Sequence, residues 1–319
     1  MTRVLRGTEG QARFVSQASV AALGAGGTFQ AFRFYSESFQ PGQGLVEDEE
    51  LGGGRNNLYD PTQQAPDLAN PSGGMSVALD LQEIGYWLTS MLGAPDTTGS
   101  DPYTHVWTSA VSAPQLFGLE LPIAGEIFRI VDAMAVSGMS INLGDEAGYR
   151  RVQLDTIQRS VRNLGSALSA SVTDVVAREK LTGTAGVLKV NGTNFGNVLG
   201  GQMSFGNGAY SERYMDNSEF ISAIETGVPS FSLSPQIRVR SGALSMLNMF
   251  DGKTPFSAEL VFAKGSHSLS FLAPNVIAPA VSPGVAGPGG LDVSPQFMAS
   301  QTDSAPMVTV TLVNDVASY

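Results

Sequence analysis

Short stretches of alternating apolar and polar residues, separated by turn-forming residues, run along most of this 319-residue chain. The 37 glycines and 17 prolines are spread between these stretches rather than gathered in one linker. A period of two is typical of strands with one buried face, and glycine and proline mark the turns between strands. The pattern therefore predicts a mainly β protein of the α+β class. The predicted strands are residues 29–35, 75–79, 103–109, 117–131, 134–143, 149–157, 198–205, 228–240, 256–263, 269–273, 291–299 and 307–313.

Short polar turns are expected to join two pairs of these strands into hairpins. In the first half, residues 134–143 pair with residues 149–157 around the turn GDEAG. At the end of the chain, residues 291–299 pair with residues 307–313 around DSAP.

Two segments have apolar residues at intervals of three and four, which predicts helices. The longer covers residues 81–92, with Asp80 as its N-cap and Glu83 in capping-box position. The shorter covers residues 243–250. Trp87 on the first helix and Trp107 on the following strand are expected in the core.

Three polar segments separate the periodic ones. Residues 1–27 are predicted to be an N-terminal arm, mobile or draped on a neighbour, and residues 159–186 a linker with a possible short helix. Residues 41–73 form a loop that is long for a compact domain. This loop is either solvated and flexible or an arm that orders on a partner subunit, and we favour the arm.

The two halves of the chain repeat one element order, which predicts a duplicated domain over residues 28–158 and 187–319. Segment pairs that match between the halves are 76–79 with 236–239, 84–88 with 243–247, 104–107 with 258–261, and 152–157 with 308–313. Each unit is expected to be a β-sandwich or half-barrel with one helix, and to close into a ring-shaped β-barrel on oligomerisation, because an open sheet edge needs a partner. The alternative is two unrelated α+β domains.

Composition favours an assembly and excludes several functions. Only 15% of residues are charged, and large permanent interfaces are depleted in charge. The net charge of −11 argues against a basic nucleic-acid-binding surface. The absence of cysteine excludes disulfides, cysteine zinc sites and thiol catalysis. No apolar run suggests a secretory signal or membrane helix, so we expect folding in the cytoplasm.

Candidate chemistry is sparse. His105 and His267 are the only histidines and lack metal-ligand spacing, so we expect polar residues on strand or loop surfaces. No nucleophile elbow or phosphate-binding loop is present. The sequence therefore predicts no enzyme activity, no cofactor and no metal site.

Several segments together resemble the tail tube proteins of long-tailed bacteriophages, particularly the longer, duplicated type. They are SGGMSVAL (72–79), IGYWLTSMLGAP (84–95), YTHVW (103–107), VSGMSINL (136–143), LKVNGT (188–193), GPGGL (287–291) and TLVNDV (311–316). The resemblance covers nearly the whole chain except the N-terminal arm.

The resemblance implies a structural virion protein that forms stacked rings around a channel lined by a continuous β-barrel, through which DNA leaves the capsid. A duplicated chain would form a trimeric ring with pseudo-six-fold symmetry, or alternatively a hexameric one. Implied partners are the tape measure protein, the tail terminator and initiator proteins, and double-stranded DNA in transit without specific binding.

Two sets of residues are candidates for roles in such a tube. Acids that would line the lumen and repel phosphates are Asp145, Glu146, Glu212, Asp216, Glu219 and Glu225. The alternative for each of them is an ordinary solvated loop charge. Residues of the long loop that would contact the next ring are Glu47, Asp48, Glu49, Glu50 and Arg55. A second hypothesis is a virion decoration or adhesive, carbohydrate-binding β protein, and a third is a glycoside hydrolase.

Overall fold

The structure is a computed structural model that describes residues 10–48, 64–109, 113–174, 178–285 and 287–319. These residues form mainly β structure with two helices. The helices are α1 (Ile84–Leu92) and α2 (Leu244–Asp251). The strands are β1 (Arg13–Gln17), β2 (Thr28–Ala31), β3 (Ser36–Glu37), β4 (Leu45–Glu47), β5 (Gln64–Pro66), β6 (Gly74–Ala78), β7 (Asp96–Gly99), β8 (Tyr103–Thr108), β9 (Leu116–Ile123), β10 (Ile127–Leu143), β11 (Arg151–Ile157), β12 (Ser160–Leu164), β13 (Ser171–Thr173), β14 (Val187–Val190), β15 (Thr193–Asn194), β16 (Val198–Gly206), β17 (Tyr210–Glu212), β18 (Ala223–Glu225), β19 (Ser230–Arg238), β20 (Phe256–Lys264), β21 (His267–Ile277), β22 (Asp292–Val293), β23 (Phe297–Ala299) and β24 (Thr309–Asn314).

Two sheets pack against each other around one core. The first has the order β3-β6-β11-β10-β16-β19, with β22 and β23 beside β19. The second has the order β15-β14-β20-β21-β24-β8-β7. Strand β23 also pairs with β21 and so joins the two sheets along one side. Among the described residues no pairing connects β3 with β7, so the sheets form an open sandwich rather than a closed barrel.

Along the strands, side chains point alternately into this core and to the outer faces, as the sequence predicts. In β16, Met203 and Phe205 are buried while Gln202 and Ser204 are exposed. Trp87 and Trp107 are both buried in the core, which confirms that prediction. Strands of both halves are neighbours, because β10 pairs with β16 and β24 pairs with β8. The division into domains and linker stays a prediction.

The hairpin of β10 and β11 is confirmed, but the predicted last pair is wrong. Strand β24 pairs with β21 and β8, whereas β22 and β23 pair with β19 and β23 also with β21. The two segments predicted to pair with each other therefore join different strands of the sandwich. The closing segments that match in sequence also lie in different sheets, β11 in the first and β24 in the second.

A third sheet corrects the prediction of a free N-terminal arm over the residues that the structure describes. Strand β1 pairs with β2 and with β9, in the order β13-β2-β1-β9-β10-β12. The physical reason is Phe14, which is 4% exposed and packs against Trp87 with ring centroids 5.6 Å apart. The surrounding aromatic rings are those of Phe32, Tyr86 and Phe117.

The predicted linker carries strands β12 and β13, and no helix is present in its described residues. One buried carboxylate, that of Glu120 on β9, holds both this segment and the N-terminal strand. It accepts hydrogen bonds from Leu168 N at 2.5 Å, Ser169 N at 3.0 Å and Arg13 Nη1 at 2.6 Å. Buried carboxylates require such donors, and here they bind distant segments to the sandwich.

Helix α1 begins three residues later than predicted, at Ile84. The Asp80 carboxylate accepts from Gln82 N at 3.0 Å and Glu179 N at 3.1 Å, so residues 81–83 form a turn. Glu83 pairs with Arg178 at 2.6 Å instead of closing a capping box. Burial raises the pKa of Glu83, which Arg178 opposes. The capping-box prediction is therefore wrong.

Candidate assembly surfaces

The outer face of the first sheet carries a continuous row of small polar residues across strands of both halves. Cross-strand partners in this row are Ser36, Ser76, Gln153, Ser140, Ser204 and Ser232, in that order. All but Ser36 lie between two buried residues of their own strand, as Ser204 does between Met203 and Phe205. Ser76 is buried, and the other five are exposed or half-buried. The next row toward one end contains Asn142, Gln202 and Ser234. The result is a polar sheet face with few charges.

This polar face was not among the sites predicted from the sequence. Its signal is the serine, asparagine and glutamine that alternate with apolar residues in β10, β16 and β19. The alternation predicts strands, but cross-strand registers are needed to place the residues in one row.

The polar face has two distinct ends. Gly74, Asp155, Gly138 and Gly206 form one cross-strand row, which we call the arm end because long excursions leave the sheet there. Leu143 on β10 marks the opposite end, which we call the groove end. Five residues of β10 separate Gly138 from Leu143, or about 17 Å at strand spacing.

The six acids predicted to line the lumen are not brought together. Asp145 and Glu146 follow β10 at the groove end. The others, Glu212, Asp216, Glu219 and Glu225, lie in the excursion at the arm end. None of the six lies on the polar face of the first sheet. That they line a lumen stays a prediction.

Two excursions form the arm end. Arm 1 is residues 41–73, of which 49–63 lie outside the described residues, and it contains the hairpin of β4 and β5. Glu47 belongs to this hairpin and Asp48 follows it. The predicted contact residues Glu49, Glu50 and Arg55 lie outside the described residues. Every residue of β4 and β5 is exposed, so the hairpin protrudes.

Arm 2 is residues 207–228 and contains the hairpin of β17 and β18. Ile221 and Ile224 fasten it to the sheet by packing on Ala135. The Asp216 carboxylate makes a hydrogen bond within the arm, where it accepts from Ser222 Oγ at 3.0 Å. Glu212 accepts from Tyr214 Oη at 3.0 Å, which raises the pKa of that tyrosine.

The two arms are bound to each other through Glu219 and Arg213. Glu219 Oε2 accepts from Gln43 Nε2 at 2.9 Å, and its backbone oxygen accepts from Ala69 N at 3.0 Å. The Arg213 guanidinium donates to Glu219 O at 2.7 Å, to Asn70 Oδ1 at 3.0 Å and to Ala69 O. Arm 2, which carries four of the predicted lumen acids, is therefore bound to arm 1, the loop predicted to contact the next ring.

A groove opens between the two sheets at the other end, with a volume of about 470 Å³. Its walls are mainly apolar and include Leu143, Leu188, Phe195, Leu199 and Phe262.

Arg150 lies at the side of this groove and is 2% exposed. Its guanidinium donates to the backbone oxygens of Asn142, Gly183 and Gly144, the last at 2.7 Å. Burial lowers the pKa of Arg150, and the charges of Glu146 and Asp145 oppose that shift. Its Nε has no hydrogen-bond acceptor in the described part of the chain.

The histidines do not form a metal site. His105 is fully buried, against the prediction of a surface residue, with Nε2 2.8 Å from Val316 O and Nδ1 2.8 Å from Thr97 Oγ1. Because a carbonyl only accepts, Nε2 carries the proton. Across the described ranges, no three potential ligands gather in a way that could hold a metal ion. Nor does any described helix have the length and apolarity needed to cross a membrane.

Comparison with known proteins settles the class to which this sandwich belongs. A family model described as phage tail tube protein matches residues 7–301. The chain belongs to the phage tail tube protein family. As a tail tube protein it is a structural component of the virion, and the family implies assembly of many copies into a tube. A search of curated proteins found no match.

Proposed function

We propose that three copies of this chain close into a ring with pseudo-six-fold symmetry, that rings stack helically, and that the polar face of the first sheet lines the channel. The row from Ser36 to Ser232 carries this proposal, because it crosses strands of both halves without interruption. Barrels that enclose water have polar inward faces. Strands β3 and β22 each have one partner among the described strands, so their other edges are available for pairing between copies.

Three copies are favoured over six because the first sheet of one chain already contains strands from both halves of the sequence. Counting β22 and β23 as one position, the first sheet has seven strand positions. A closed ring of three would have about 21 strands, and porins of 16–18 strands already enclose an aqueous channel.

Double-stranded DNA would pass along this face without specific binding. Phosphate binding requires clustered Lys and Arg, which the polar rows lack. We assign the six loop acids to the two ends of the channel segment, where they would repel phosphates as successive rings meet. The tape measure protein and the tail terminator and initiator proteins would be the remaining partners, and we expect no catalytic activity.

Negative-stain electron microscopy of the concentrated protein, with and without a tail initiator complex, tests this function. Hollow tubes with a regular axial repeat are expected. Monomers that persist with the initiator complex present would contradict the proposal and favour the adhesive protein.

A further inference from the structure

Two cations at the groove end of the polar face lie against exposed tyrosine rings. Arg151 is two residues from Gln153 on β11, so its side chain points to the same outer face, where it is exposed. Its Cζ atom is 4.3 Å from the centroid of the Tyr35 ring. Lys180 Nζ is 5.8 Å from that centroid and 5.3 Å from the centroid of the Tyr149 ring. We call these two cations and two tyrosines the cation–tyrosine patch.

Neither cation of the patch is neutralised by an acid. Within the described part of the chain, Arg151 and Lys180 form no ion pair and donate no side-chain hydrogen bond, whereas Arg129 is paired with Glu37 at 2.6 Å. A ring face attracts a cation but carries no net charge, so the positive charge remains. A guanidinium and an ammonium are thus available to an anionic partner.

The tyrosines hold these flexible side chains in place. Tyr35 N donates to Ser76 O at 2.7 Å, and Tyr149 forms a backbone bridge with Thr182, so both rings stand on fixed backbone. Long side chains that are already ordered lose less rotamer freedom when they bind. The patch is therefore arranged for contact before a partner arrives.

The place of the patch on the sheet selects its partner. The charges of the acids at this end, Asp145 and Glu146, act on the buried Arg150, where they oppose the lowering of its pKa by burial. Guanidinium and ammonium groups bind phosphates through charge-assisted hydrogen bonds. In the proposed tube, the polyanion that moves past this face is double-stranded DNA, and the patch recurs in every copy around the ring.

We propose that the cation–tyrosine patch contacts the phosphates of DNA in transit and retards its passage at one level of each ring. The contact rests on the proposed function, in which the polar face lines the channel. It carries no base specificity, because phosphates are alike in every sequence. The row from Ser36 to Ser232 has no charge and lies between the patch of one ring and that of the next, so DNA meets a regular series of holding points.

Phage complemented with Arg151→Gln tests the contact through the salt dependence of DNA ejection. We expect ejection about threefold faster than with the unsubstituted protein at low salt and equal to it at high salt, since salt weakens phosphate contacts. Arg151→Lys keeps the charge and should retain most of the salt dependence. The matched control is Lys253→Gln, which removes one exposed charge from the turn after α2, outside the polar rows, and should eject normally.

Ser204→Lys in the same assay distinguishes failure of this contact from failure of the proposed function. If Ser204→Lys slows ejection while Arg151→Gln ejects like the Lys253→Gln control, the polar face lines the channel and the contact is wrong. If Ser204→Lys has no effect, the proposed function itself is contradicted.

Lys180→Gln carries the test where Arg151→Gln tubes do not assemble, and it should also accelerate ejection at low salt. Ejection by Lys180→Gln phage equal to that of the control at every salt concentration would overturn the contact. Loss of assembly by both substitutions would also overturn it, because the two cations would then bind a neighbouring copy rather than DNA.

Discussion

Gln43 and Glu219 are 176 residues apart in the chain, yet the Gln43 side-chain amide donates a 2.9 Å hydrogen bond to the Glu219 carboxylate. Gln43 belongs to arm 1 and Glu219 to arm 2, so the bond joins the two excursions at the arm end. Arg213 adds three further hydrogen bonds across the same boundary and within arm 2. The arm end is therefore one connected structure rather than two independent loops.

Arg213→Gln should impair assembly while leaving the fold intact. The guanidinium holds the two arms in register, but it lies outside the core and its loss uncovers no buried apolar side chain. We expect the thermal midpoint to change by no more than about 2 °C and tube formation to fall several-fold, measured by light scattering and electron microscopy. Arg33→Gln, at an exposed arginine away from the arms, is the control. Equal assembly by both variants would show that Arg213 has no part in stacking.

Glu120→Gln should destabilise the folded protein by about 3 kcal/mol. The substitution leaves Arg13 without its buried anionic partner and weakens the hold on Leu168 and Ser169. Urea unfolding followed by circular dichroism measures the loss. Glu126→Gln, at an exposed position on the β9–β10 turn, should change stability by less than about 0.5 kcal/mol. Similar values for the two would mean that Glu120 does not anchor these segments.

The two histidines should give opposite dependences of stability on pH. The hydrogen bond to Glu179 raises the pKa of His267, so its contribution is complete below about pH 6.5 and is lost as pH rises through the raised pKa. Burial lowers the pKa of His105, so its contribution is present above about pH 6.5 and is lost as pH falls through the lowered pKa.

His267→Gln separates these effects. The free energy of unfolding of the variant should decline less than that of the unsubstituted protein between about pH 6.5 and pH 8. Urea titrations at several pH values measure both slopes. Superimposable slopes would mean that the ion pairs of His267 do not contribute to stability.

Ser204→Lys should slow DNA passage without preventing assembly. It would place a cation in every copy on the polar face, where phosphates would be retained. In phage complemented with the variant, we expect the rate of DNA ejection to fall about tenfold at low salt and to recover at high salt. The control is Ser270→Lys on the outer face of the second sheet, which should eject normally. Slowing by Ser270→Lys alone would place the second sheet at the channel.

The sequence predicted the long core strands and both helices because their apolar periodicity is local. It missed β1, whose single strongly buried residue, Phe14, is covered by Phe32, Trp87 and Phe117 from distant parts of the chain. It also missed β12 and β13, since a polar segment held by Glu120 and Asp132 resembles a linker in composition.

The candidate site was predicted only in part, for a similar reason. The acids and the long loop can be recognised from composition alone. The contact of Gln43 with Glu219 cannot, because it forms only when the chain folds. The polar face likewise depends on which strands pair, because a shift of one residue would turn Ser140 or Ser204 into the core.

Helical reconstruction by cryo-electron microscopy of assembled tubes tests the central claim most directly. We predict three copies in each ring, with Ser140, Ser204 and Ser232 facing a continuous channel and arm 1 directed at the next ring. A tube whose channel is lined by the second sheet, or in which the polar row is buried between subunits, would contradict it.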